Sequence, residues 1–96
     1  MKVVYTEPAL RDLDDITAWL KQHYPGLGRA IERRLGIVAA HIGRWPESMR
    51  RSARRPDVRV APLGRSPYKI FYRVRDDAIE ILHIHHAARE PWDERE

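Results

Sequence analysis

Residues 68–86 read YKIFYRVRDDAIEILHIHH, and this stretch decides the fold. Tyr68, Ile70, Tyr72 and Val74 alternate with Lys69, Phe71, Arg73 and Arg75, the period of a strand that keeps one face on a core. Asp76-Asp77 is a tight two-residue connection, and 78–86 is a second strand-like run, so the segment reads as a β-hairpin. The end of its second strand holds His83, His85 and His86, three of the five histidines in the chain.

Upstream of the hairpin, VRVAPL at 58–63 is a further strand, separated from it by Gly64-Arg65-Ser66-Pro67. Residues 47–57, ESMRRSARRPD, are polar and aperiodic, and read as a loop. Before that loop, Leu27, Ile31, Leu35, Val38 and Ile42 recur at helical steps until Pro46 ends the pattern after Trp45. Gly36 weakens this helix by about 1 kcal/mol relative to alanine, and is read as a point of close approach by the preceding helix. That helix places Ala9, Leu13, Ile16 and Leu20 on one face, with Thr6 as N-cap and Pro8 in its first turn. Asp12, Asp14 and Asp15 lie early in it, where the helix dipole favours negative charge. Pro25-Gly26 ends it near His23 or Tyr24, and KVVY at 2–5 is a first strand. The order β-α-α-β-β-β predicts an α+β domain over 1–96, a helical hairpin packed on one face of a mainly antiparallel sheet. The final PWDERE is expected to fray beyond Trp92.

Ninety-six residues support one modest core, and the absence of cysteine excludes disulfides and thiolate metal sites. No apolar run approaches the roughly 18 residues of a membrane span. MKVVYTEPALRDLDD turns acidic too early for a signal peptide, so a cytoplasmic location is expected. Lys+Arg outnumber Asp+Glu by 18 to 14, and only Lys2, Lys21 and Lys69 are lysines. The net +4 suits an acidic partner, and arginine's planar fork suits carboxylates and phosphates. Arginine-favouring codon usage would give the same composition.

Three chemistries are open to these residues. His83 and His85, two apart on a strand, project from one face and offer two imidazoles to a metal, with His86 on the other face. No Cys, Asp or Glu stands near them at a familiar spacing, and His23 or His41 would have to join through the fold, so no metal site is expected. A histidine with nearby arginines, and Tyr68 or Tyr72 to stack on a base, would supply the parts for RNA cleavage. Alternation makes those tyrosines half a core rather than a stacking platform. Arg50, Arg51, Arg54 and Arg55, with Arg59 on the next strand, form a patch for phosphates or an acidic peptide, or else a solvated loop.

Beyond these readings, the chain resembles the RelE/ParE superfamily of toxins from bacterial type II toxin-antitoxin systems, from Val3 to about Trp92. The resemblance lies in YTEPALRDLDDI, WPESMRRSARRPDVRV, SPYKIFYRV and IEILHIHHAAREPW, in that order. ALRDLDDI, WPE and LHIHHAAREPW are closer to the ParE branch, whose members poison DNA gyrase and leave it trapped on broken DNA. RelE-like members cleave mRNA in the ribosomal A site. The lysine-rich kind carries basic central strands and a late tyrosine. Here Lys69 is the only lysine in the three later strands, and no tyrosine follows Tyr72.

The resemblance therefore implies a gyrase poison rather than an enzyme, with no cofactor. It leaves two alternatives: a ribosome-dependent mRNA endonuclease using His86 and Arg89, or a degenerate member that only binds its antitoxin. Arg59, Arg65, Tyr68, Arg89 and Trp92 are the expected target- or phosphate-binding residues, and replacing Arg59 and Arg89 with alanine is expected to reduce toxicity more than it destabilises the fold. The implied partner is a cognate antitoxin whose acidic, apolar C-terminal segment wraps the helical hairpin and a sheet edge. Arg50, Arg51, Arg54 and Arg55 are expected to meet it.

Overall fold

The hairpin forms as the alternation requires. In the computed structural model, which describes residues 1–86, β1 (Lys2–Tyr5), α1 (Glu7–His23) and α2 (Leu27–Arg44) precede β2 (Arg50–Arg51), β3 (Val58–Pro62), β4 (Tyr68–Arg75) and β5 (Ala78–His86). The strands make one five-stranded sheet in the order β1-β5-β4-β3-β2. β1 runs parallel to β5 and every other pairing is antiparallel. The β2 strand, only two residues long, lies inside the stretch expected to be a loop. Its arginines pair with Val60 and Arg59, so β3 extends the sheet through that loop.

Both helices lie on one face. Ala9 and Leu20 of α1 and Ile31, Leu35, Val38 and Ile42 of α2 pack on Ala61, Leu63, Tyr68, Ile70, Tyr72, Ile79, Ile81 and Ile84. Thr6 caps α1, accepting from the Ala9 amide at 3.4 Å. The same hydroxyl donates to the Ile81 carbonyl at 2.7 Å and so ties the helix start to the sheet. The close approach within α2 falls at Gly43, not Gly36. A Cβ at Gly43 would lie 3.1 Å from the Met1 carbonyl oxygen and 3.2 Å from Val3 Cγ2, whereas one at Gly36 would meet nothing within 4 Å. Met1's amino group closes the seam by donating to the Gly43 carbonyl at 2.7 Å.

One irregularity in β5 decides which way its histidines face. Phe71 pairs with His83 and Tyr72 with Ile81, so Leu82 is an extra residue in a bulge. Simple alternation from Ile79 and Ile81 would carry His83 and His85 into the core. The extra residue swaps the faces, so Ile84 turns inward instead and His83 and His85 share the face of Phe71 and Lys69.

Candidate functional site

Asp12, Asp15, Ile16 and Trp19 stand at helical steps of three and four, so they line one face of α1. That face and Tyr68, Ile84, His85 and His86 enclose a groove of about 700 Å³, within the roughly 300–1,000 Å³ range of ligand pockets. The groove exists because β1 stops early. Its pairing with β5 ends at Tyr5 and Ile81, and the chain turns into α1. The outer edge of β5 beyond that point has no strand beside it among the described residues.

Asp12 takes the place of that strand. Its Oδ2 accepts from the Ile84 amide at 3.0 Å and from His83 Nδ1 at 3.0 Å. The His83–Asp12 pair is about three-quarters buried on both sides. The carboxylate fixes the imidazole's tautomer and orientation. His85 packs edge-on against His83 with ring centroids 5.4 Å apart, and against Phe71 at 6.0 Å. His86, on the helix side, meets the Tyr68 ring in a T-shaped contact at 5.1 Å.

The triplet of histidines therefore splits as the strand geometry requires, and neither remaining histidine joins it. His23 stacks on Trp19 at 4.4 Å, and His41 bonds to Ser48 Oγ at 3.3 Å. Sequence spacing missed Asp12, which sits 71 residues before His83. The available signal was its position on the helix, three residues after Ala9 and four before Ile16, which puts a carboxylate at the border of the apolar stripe.

The arginines gather elsewhere. Arg50 and Arg51 are exposed on β2, at the far end of the sheet's strand order from β1 and three strand spacings from β5, or about 14 Å by sheet geometry. Arg54 is exposed in the following loop, and Arg55 pairs with Asp57 at 3.2 Å. The Arg55 hydrogen bond holds the Asp57 carboxyl below the usual carboxylate range. Arg65 is exposed in the turn before β4.

Arg59 is committed to the loop after α2. Its guanidinium donates to the Met49 carbonyl at 2.6 Å and the Glu47 carbonyl at 3.2 Å. Beside it, the Tyr72 hydroxyl donates to the Pro46 carbonyl at 2.8 Å. Arg59 therefore holds the β2 approach in place, so its replacement carries a structural cost of its own. Burial raises the Tyr72 hydroxyl above the ordinary tyrosine value, while the Arg59 cation and a main-chain bond at Met49 pull the other way. Tyr68 is only 7% exposed, which leaves its ring little face on which to stack a base. Arg89 and Trp92 lie outside the described residues.

The sequence pattern of the ParE toxin family of type II toxin-antitoxin systems, parDE, matches residues 3–91. The chain belongs to that family. It is 35% identical over 89 residues to toxin RelE2 of Caulobacter vibrioides, covering 92% of this chain and 97% of the relative. A chain from the chromosomal ParDE toxin-antitoxin system of P. aeruginosa superimposes with a TM-score of 0.67 at 22% identity, over 90% of this chain and 95% of that one. At that identity the superposition bears on the fold alone. This ParE-family member carries the arrangement of a strand, two helices and a sheet of later strands, and no helix among its described residues is long and apolar enough to cross a membrane.

Proposed function

We propose that this type II toxin arrests growth by poisoning DNA gyrase and is neutralised by a cognate antitoxin. The observation that supports the choice of target is the separation of His86 from the exposed arginines of β2 among the described residues. His86 lies in a groove whose charged wall is the Asp12 and Asp15 carboxylates, with no arginine or lysine lining it among the described residues. Phosphate binding requires cations where the strand of RNA runs. The exposed arginines of β2 sit across the sheet instead. A contact surface for a protein target does not need those groups to converge.

The alternative, ribosome-dependent mRNA cleavage with His86 and Arg89 as the proton-transfer pair, takes support from the relative named RelE2. In both readings Arg50, Arg51 and Arg54 offer an acidic antitoxin segment a cationic edge. Such a segment would order as it binds, covering a large surface from a small partner. Induced expression in a bacterial host tests the reading. Growth arrest with linearised chromosomal DNA, relieved by coexpressed antitoxin, supports it. Arrest with truncated mRNA and intact DNA favours the endonuclease, and undiminished growth favours a member that only binds its antitoxin.

A further inference from the structure

The pairing of β5 with α1 assembles ligands that sequence spacing did not offer. Asp12, His83 and His85 each present one donor atom, and the three atoms lie within 4.8 Å of one another. We propose that these residues form a binding site for a divalent transition-metal ion of the zinc class at the rim of the groove. Donor atoms on one tetrahedral zinc ion sit roughly 3–4 Å apart, given bonds of about 2.0–2.2 Å, so the set closes on an ion by side-chain movement of about an ångström.

The chemistry of the set selects the ion. Two imidazoles and one carboxylate suit zinc or nickel, whereas magnesium and calcium take oxygen ligands. The supports are in place without the ion. The Ile84 amide holds the Asp12 carboxylate at 3.0 Å, and Asp12 in turn holds His83 at 3.0 Å. Strand pairing with Phe71 and Lys69 sets the two histidine backbones side by side on one face. The Ile84 amide is a second-sphere contact of the kind that orients a ligand before the metal arrives, while the His83–Asp12 bond holds two ligands together and gives way, with release of its proton, if His83 binds through Nδ1. Because Asp12 comes from α1 and the histidines from β5, the ion would cross-link the helix to a strand edge that no β-strand covers among the described residues. Binding energy then appears as folding energy.

The test titrates the untagged full-length chain with zinc chloride by calorimetry, with melting temperature read in parallel. The expected result is one ion per chain, a melting temperature raised by zinc and unmoved by magnesium, and affinity weakened by about tenfold or more in His85→Ala and in Asp12→Asn. Asp12→Asn also disturbs the Ile84 contact, so His85→Ala, confirmed folded by circular dichroism, decides if the first variant fails to fold. Absence of saturable zinc binding to the wild type overturns the proposal. So does a wild-type isotherm in folded His85→Ala, which would put the ion on other histidines.

Discussion

Arg59, an expected binding residue, also serves the fold. Its charge-assisted bonds to the Glu47 and Met49 carbonyls anchor the loop that leads into β2. Arg59→Ala is expected to lower stability by about 1.5–3 kcal/mol, the range for hydrogen bonds to a charged group. Arg65→Ala, at an exposed turn position, is expected to stay within about 0.5 kcal/mol of wild type. Urea denaturation of both variants checks the contrast, and equal midpoints would remove the anchoring role. Tyr72 gives a pH dependence at the same scale. Its hydroxyl is raised in the folded chain, chiefly by burial, so the unfolded chain ionises first. Stability is full below the ordinary tyrosine value and is lost as pH climbs through the folded one. Melting temperature should therefore fall in that alkaline window, and Tyr72→Phe should flatten the fall. Tyr5, also raised by burial, leaves a residual slope. An unchanged slope in the variant would assign the alkaline loss to other groups.

At the scale of elements, the glycines separate propensity from packing. Gly36 stands in α2 with open space where a Cβ would be, so Gly36→Ala should stabilise the protein by about 1 kcal/mol. Gly43→Ala should destabilise it, because its Cβ would press on the Met1 carbonyl and Val3. Denaturation midpoints moving in opposite directions are the expected result, and a stabilised Gly43→Ala would show that β1 yields freely. The helices and the hairpin were legible in the sequence because each buries one face, and a buried face imposes its period on the residues. The role of Gly43 was not, since close approach depends on which strand crosses the helix. Nor was β2, whose two arginines carry no alternation and pair only because β3 lies beside them. The bulge at Leu82 was equally hidden, although it decides which face His83 and His85 take. Asp12 belongs to the same class: its partners are set by where β1 stops, a property of the sheet rather than of the helix.

At the scale of the molecule, the two ends of the sheet's strand order carry different charge among the described residues. The exposed Arg50, Arg51 and Arg54 lie at the β2 end of the sheet, and Asp12 and Asp15 line the groove beside β5. An acidic antitoxin segment is expected to engage the arginine end. Replacing Arg50, Arg51 and Arg54 together with alanine should weaken antitoxin binding, and weaken it most at low ionic strength, where charge acts over the longest range. Equal affinities across a salt series would place the antitoxin elsewhere. The measurement that tests this account most directly uses purified, antitoxin-free protein with DNA gyrase, supercoiled plasmid and ATP, beside a second reaction with programmed ribosomes. Protein-dependent double-strand breaks that require gyrase, with the mRNA intact, are the predicted result. Cuts in the mRNA at the ribosomal A site, with the plasmid unbroken, would contradict it.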